Sequence, residues 1–545
     1  MQQDFTLTPF LRFYSDPILL NELFGNNEMR RINSGKYLLH TACLLLVSHA
    51  SIGADSISPT EPATCQSILV DFSSPEVTLI SAEMVSADRG IPAHCRVFGT
   101  TTIDIGFDVR LPTDWNGRFY MVGNEGSGGK FNTRYMNRAL RLNYATASTD
   151  QGYDGAVEGD AYGYNNRQKV IDYAFRATHR TAQVSKEIIA AWYGEPAAYS
   201  YFVAGSAGGR QALMEAQRFP HDFDGILLSA PVYNISKIHM WGIWKAKAMT
   251  GAGHVDPEKV SVISKAVYDL CDDDDGVLDG VISDPPSCGF DPNKDLQICD
   301  GISDSASCFT PAQIEALNLI YGGVRNSKGE LLFPGQPVGA EAIGDMPPWM
   351  AADGPQSAWY DWVVVPAGET PRFVGFAESF LRYTAFEIDD PDYDWRRFDF
   401  DDDPARMSIA SSIVDADNPD LRPFRASGGK MIHYHHWADT AVPATNSIDY
   451  FERVQEVSGS TDDFYRLYLV PGGFHGSPGV GATEVPWLEL IVNWVEKGIA
   501  PGELIAIRTE NGEVKFTRRI CPHPFKATYD GKGDPATSDS FSCTR

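Results

Sequence analysis

Positive charge is scarce in this sequence relative to negative. Its 545 residues carry 45 Lys and Arg against 72 Asp and Glu, a formal charge of −27. Nucleic acids and anionic membranes are bound by clustered Lys and Arg, so neither class of partner fits. A membrane span is also missing. The one markedly apolar run, near Tyr37 to Val47, is too short to cross a bilayer comfortably; it follows Arg30, Arg31 and Lys36 and precedes small residues ahead of Asp55. That is the layout of a secretory signal, without the surrounding pattern of a twin-arginine one. No internal repeat is evident.

Residues 1–28 look like none of this, so Met29 reads as the true start and 1–54 as a spurious extension plus a signal peptide. The mature chain is expected to be soluble and secreted or periplasmic. Cysteine is sparse but supports export. Of nine, Cys43 lies in the signal, and the other eight fall as sequence-near pairs. Bridges Cys65 to Cys95, Cys271 to Cys288, Cys299 to Cys308 and Cys521 to Cys543 are the simplest of the roughly 105 pairings, buried free thiols being the alternative.

Hydrophobic content of 43% with 21% charged residues is that of a globular protein, long enough for two or three units or one core with a large insertion. An aromatic and β-branched run, Tyr199 to Val203, enters Ala204-Gly205-Ser206-Ala207-Gly208-Gly209 and leaves through the helix-forming Arg210 to Phe219. Strand, sharp turn and helix in this order push a serine hydroxyl out above a sheet, and small neighbours let strand and helix pass closely. Ser206 is the candidate nucleophile. The pattern departs from G-x-S-x-G at Ala204, and a Gly-rich helix start that packs tightly or binds phosphate is the alternative.

Strands are expected in Arg96 to Leu111, at Gly117 to Val122 ahead of a glycine cluster at 123–129, at Tyr144 to Thr149, and at Asp224 to Pro231. Val170 to Tyr193 has helical periodicity. Alternating strands and helices imply an α/β fold with a doubly wound, mostly parallel sheet. The rhythm stops over 233–424, which reads as an inserted lid dividing core segments 55–232 and 425–545. It returns at Met431 to Asp439 and at Phe464 to Val470, with a last helix near Val485 to Lys497. The cluster at 123–129, directly after a strand, suits an oxyanion hole or equally a flexible loop.

A serine hydroxyl needs an imidazole to take its proton and a carboxylate to orient that imidazole. On such a sheet these follow the serine in the order acid, then histidine. Asp439 follows one strand and His475 the next; taken alone, the first could be a turn residue or cap and the second a buried loop histidine. His433, His435 and His436 lack a partnering Cys or carboxylate cluster and read as structural rather than metal ligands. Cys271-Asp272-Asp273-Asp274-Asp275-Gly276-Val277-Leu278-Asp279-Gly280-Val281 offers hard oxygens broken by turn glycines, which suits a structural Ca²⁺, a solvated acidic turn being the alternative. It is not an EF-hand, since Ser283 stands where that loop needs glutamate.

With these residues in view the chain resembles the tannase and feruloyl esterase family of α/β-hydrolases, in YFVAGSAGGRQALMEAQRFPHDFDGI, HHWADTAVPATNSIDYFERV, GGFH and CDDDDGVLDGVISDP. The resemblance implies Ser206, Asp439 and His475 as the triad, N–H groups of Ala207 and the Gly126 loop as oxyanion donors, and Ca²⁺ held by Asp272, Asp275, Asp279 and the carbonyls of Val277 and Val281. It also implies an ester of an aromatic acid as the small-molecule substrate, with hydroxycinnamate, gallate and phthalate as candidates and no organic cofactor. Lid aromatics Trp349, Trp359, Tyr360, Trp362, Phe373, Phe376, Phe380 and Tyr383 could stack on such a ring or fill a core. Family members usually carry a bridged cysteine pair where this chain has Gly205 and Gly476, so a looser histidine loop is expected. An exopeptidase on the same fold and a silent binding protein are the rival readings.

Overall fold

The computed structural model describes residues 64–300, 305–341, 358–360 and 362–545. The expected signal with Cys43, and Trp349, lie outside them. Nine strands form one sheet: β1 Val77–Val85, β2 His94–Thr101, β3 Ile105–Pro112, β4 Arg118–Val122, β5 Ala145–Thr149, β6 Tyr199–Gly205, β7 Gly225–Ser229, β8 Lys430–His436 and β9 Tyr465–Val470, in the spatial order β1-β2-β3-β5-β4-β6-β7-β8-β9. The first three pairings, β1 with β2, β2 with β3 and β3 with β5, are antiparallel, and every later one is parallel. Strands buried on both faces need apolar or small residues throughout, and β5 (ATAST) is buried at all five positions.

Helices cover both faces, including α1 Thr133–Arg141, α2 Ala177–Tyr193, α3 Ser206–Arg218, α4 Ile235–Ala248, α5 Val260–Cys271, α6 Pro311–Gly322, α7 Arg372–Tyr383, α8 Ala444–Ser458 and α9 Trp487–Lys497. One core cluster joins Phe107, Met121, Phe202, Leu213, Ile226 and Met431; on the other side of the sheet, Tyr120, Tyr201, Leu227, Ile432 and Tyr468 pack against Ile491 and Trp494 of α9. This is the doubly wound α/β arrangement that the alternation of elements implies. Residues Cys65–Arg545 form one compact unit.

Three local features differ from the sequence reading. The turn expected over 204–209 shrinks to one residue, because β6 runs through Gly205 and α3 begins at Ser206 itself. The helix expected from Val170 to Tyr193 is broken by a π-helical turn at Asp172–Arg176, where the Arg210 guanidinium inserts against the carbonyls of Tyr173 and Ala174. Ahead of the first expected strand lies β1, whose side chains are mostly exposed apart from Ala82, so it has little buried pattern to announce it. Four disulfides join 65 to 95, 271 to 288, 299 to 308 and 521 to 543, the four local pairs.

Candidate active site

Parallel strands leave their carboxyl ends on one rim, and β6, β8 and β9 deliver Ser206, Asp439 and His475 there although up to 269 residues separate them in sequence. Ser206 sits at φ +53°, a left-handed conformation costly to any residue with a Cβ, directly between strand and helix. The tight passage depends on missing side chains. A Cβ on Gly123 would stand 2.7 Å from the Ala204 Cβ, and one on Gly208 2.8 Å from the Asn124 carbonyl. Gly123 thus makes the room that Ala204 occupies, which explains why alanine is tolerated where the common pattern has glycine.

An ionised carboxylate only accepts hydrogen bonds, so the His475 Nδ1–H donates to Asp439 Oδ2 at 2.7 Å, leaving Nε2 to accept from the Ser206 hydroxyl at 3.1 Å. Asp439 is wholly buried, and its other oxygen accepts the N–H groups of Ala441 (2.9 Å) and Val442 (2.8 Å). Burial pushes its pKa up, but His475 and His435 push harder the other way and hold it well below the usual carboxylate range. For His475, burial favours the neutral ring, yet Asp439 and then Glu125 outweigh it, with Arg372 opposing, so its pKa ends above the ordinary 6.5.

The loop that carries Gly126 opens beside α3, where the Asn124 N–H donates to the Gln211 side-chain oxygen at 2.9 Å. That loop is clamped by Asn124, whose amide donates to the carbonyls of Lys130 and Thr149, both at 2.8 Å, and whose side-chain oxygen accepts from Gln211 of α3. Ala207 lies in the first turn of α3, where backbone N–H groups have no helical acceptor. Of the aromatic residues expected to line the lid, Trp359, Phe373 and Phe380 are buried in core clusters, whereas half-buried Trp362 meets the His475 ring edge-on at 6.4 Å between centroids. Arg372 lies over Trp362.

The sequence reading did not foresee what surrounds Asp439. Gln336 donates to its main-chain carbonyl at 3.0 Å, and the buried Lys245 amino group, set over the Trp241 ring, donates to the next carbonyl, that of Thr440. His435 lies 3.4 Å from the carboxylate while bonding Ser447 and Val442. His433 bonds Tyr465, and His436 donates to Phe474, so all three strand histidines have protein partners.

The acidic turn follows α5 and is pinned by the bridge from Cys271 to Cys288. Asp272 accepts from Gly280 and Val281, Asp275 from Val277 and Ser283, and Asp279 from Val281 and Arg518. Burial raises the Asp279 pKa against the pull of Arg518, and Asp275 and Asp272 add to the rise. Asp272 is buried, Asp275 half-buried and Asp279 more open, so the turn presents oxygen donors only, the donor type that a hard divalent cation takes. Among the described residues, one His and carboxylate trio has donor atoms all within 4.8 Å, His179, Glu215 and Asp222. There His179 already bonds Asp222 at 2.6 Å, and the Lys186 side chain bonds the Asp222 main-chain carbonyl, while burial raises the Glu215 pKa well above the usual carboxylate range.

A family model described as tannase and feruloyl esterase matches residues 90–544. An uncharacterized esterase of Xanthomonas campestris pv. campestris is 31% identical over 575 aligned positions, covering 94% of this chain and 96% of that protein. Mono(2-hydroxyethyl) terephthalate hydrolase of Piscinibacter sakaiensis is 32% identical over 529, covering 85% and 87%. Among solved structures, feruloyl esterase B from Aspergillus oryzae superimposes with a TM-score of 0.76 at 25% identity, over 88% of this chain and 99% of that one.

Proposed function

The chain belongs to the tannase and feruloyl esterase family and is a carboxylic ester hydrolase; from that premise we propose that it cleaves esters of aromatic acids with Ser206 as nucleophile, His475 as general base and acid, and Asp439 as the orienting acid. The observation that carries the reading is the unbroken hydrogen-bond path from the Ser206 hydroxyl through His475 to a buried, ionised Asp439. Ser206 Oγ attacks the ester carbonyl carbon as its proton passes to His475 Nε2. The negative charge that grows on the carbonyl oxygen is met by the N–H of Ala207 and of the Gly126 loop. Collapse expels the alcohol, which takes its proton from His475, and leaves an acyl-enzyme. Water, deprotonated by the same ring, releases the acid and restores Ser206.

Trp362 meets His475 edge-on, which supports assigning it the stacking of the aromatic acid. The relatives named for feruloyl and terephthalate esters favour hydroxycinnamate or phthalate-type acids within that class. We also assign Ca²⁺ to Asp272, Asp275 and Asp279 with the carbonyls of Val277 and Val281, where it would balance charge and stiffen the turn without entering the reaction. Export is the expected route, since four disulfides need an oxidising compartment.

The test is Ser206→Ala in the purified protein. Turnover of an aryl ester should fall at least about 10³-fold, and fluorophosphonate labelling should disappear, with the thermal midpoint retained. Turnover persisting near the wild-type rate would defeat the assignment. Parallel ester and amide versions of one acyl group should show hydrolysis of the ester alone.

A further inference from the structure

We propose that His436 is a positioning residue for the catalytic base, setting the place of the His475 ring between Ser206 and Asp439. The inference rests on the triad reading above and deepens it. His475 stands on a loop, Pro471 to Gly481, in which Gly472, Gly476 and Gly479 take left-handed φ values of 70°, 65° and 62°. A backbone so rich in glycine gains little stiffness from its own chain, whereas proton transfer demands placement within a fraction of an ångström.

Few contacts supply that stiffness near the ring. Phe474 N–H donates to the Ser477 carbonyl at 3.0 Å within the loop, and Ala438 N–H donates to the Gly473 carbonyl at 3.1 Å. Further along the loop, Val480 N–H donates to the Gly472 carbonyl at 2.9 Å and Arg508 to the Gly479 carbonyl at 2.6 Å, while Ser477 N–H reaches the Phe474 carbonyl at 3.4 Å. The shortest bond to that last carbonyl comes from a side chain. A carbonyl only accepts, so the Nδ1–H of His436, at the end of β8, donates to the Phe474 carbonyl at 2.8 Å. That carbonyl belongs to the peptide unit whose nitrogen is His475's own, so holding it fixes the direction in which the catalytic ring leaves the backbone. Burial lowers the His436 pKa below its ordinary value, against the pull of the Phe474 carbonyl and Asp439.

Shape reinforces the bond. A Cβ on Gly473 would stand 2.5 Å from the His436 ring carbon and 2.7 Å from Nδ1, so the ring lies directly on the loop, and glycine is what lets it. On the far side, Phe474 is fully buried beside Ala340, Ala358 and Ala438. The peptide before His475 is thereby gripped between the sheet and the segment that follows α6. Where the family resemblance puts a disulfide, Gly205 and Gly476 leave this loop to noncovalent ties, and of those reaching the peptide before the base the bond from His436 is the shortest.

Two variants at position 436 separate positioning from bulk packing. His436→Leu keeps the size of the ring and removes the donor; His436→Asn retains an N–H close to the position of Nδ1. With an aryl ester, the Leu variant should lose about ten- to thirty-fold in kcat with KM within about two-fold of wild type, and its fluorophosphonate labelling rate should fall in parallel. The Asn variant should recover kcat to within about three-fold of wild type. Should the Leu variant not fold, His436→Ala measured against the Asn variant takes its place. A folded Leu or Ala variant with wild-type kcat, an effect carried by KM alone, or an Asn variant as slow as the donor-free one would each overturn the proposal. Failure of the triad reading looks different, because Ser206→Ala would then remain active whatever stands at 436.

Discussion

Asp439 is buried without solvent, and it stays ionised only because every oxygen lone pair that matters is answered: by His475 on one side and by two backbone N–H groups on the other. Its charge in turn sets the titration of His475, whose pKa lies above 6.5 despite burial. The ring must be neutral to accept the Ser206 proton, so kcat/KM should fall as pH drops through a value higher than that of a free histidine. Asp439→Asn removes the main cause of the rise. The acid limb should then move to lower pH while kcat falls about 10³- to 10⁴-fold, read from pH–rate profiles of the two proteins. An acid limb left in place by the substitution would mean that the carboxylate does not tune the ring. At this scale the grouping of Ser206, Asp439 and His475 was legible, since chain order and strand ends point to an aspartate after one strand and a histidine after the next. Asn124, Gln211, Gln336 and Lys245 were not legible, because each acts on a partner 25 to 195 residues away and ordinary polar residues carry no periodic signature.

Between β6 and α3 the chain reverses within one residue, and that turn depends on close approach of strand and helix as well as on the Val232 N–H, which donates to the Ser206 carbonyl at 3.1 Å. Gly208 is the pivot, because its α-carbon faces both Gly123 and the Asn124 carbonyl. Gly208→Ala would drive a methyl group to 2.8 Å from a backbone oxygen that cannot move without carrying the Asn124 loop with it. The expected loss is about 1–3 kcal/mol in denaturant unfolding together with a drop in kcat, as the donors near Gly126 shift. Gly289→Ala, with no atom within 4 Å of the added carbon, should stay within about 0.5 kcal/mol of wild type. Equal effects at the two positions would show that packing at the turn is not what makes glycine necessary. The elements themselves were readable wherever an apolar run ended in small residues, as at β4, β6, β7, β8 and β9. The π-helical turn was not, because it arises from the buried Arg210 guanidinium reaching across from α3, and β1 was not, because an edge strand need not carry buried side chains.

Across the whole molecule, the acidic turn links parts of the chain that the sequence holds far apart. Asp279 pairs with Arg518 and Asp284 with Lys526, both on the C-terminal ribbons, where β10 Leu504–Glu510 pairs with β11 Glu513–Ile520 and β12 Lys526–Tyr529 with β13 Phe541–Thr544. The ribbons are tied to the sheet through His523 N–H, which donates to Leu467 of β9. A second path is shorter. The Val281 side chain packs on Gly472, three residues before His475, so that a Cβ there would lie 3.2 Å from its methyl group. The turn therefore underlies both the C-terminal ribbons and the loop of the base. If Ca²⁺ holds that turn, removing it leaves three carboxylates repelling one another beneath the histidine loop. Chelation should then lower the thermal midpoint by several degrees and kcat by a few-fold, with KM little changed and Ca²⁺ but not Mg²⁺ restoring both. Asp275→Asn should weaken the response to Ca²⁺ in the same two readouts. A protein whose melting curve and kcat ignore both chelator and added Ca²⁺, in the wild type as in the Asn variant, would establish the turn as a solvated acidic loop held by its own N–H groups and Arg518.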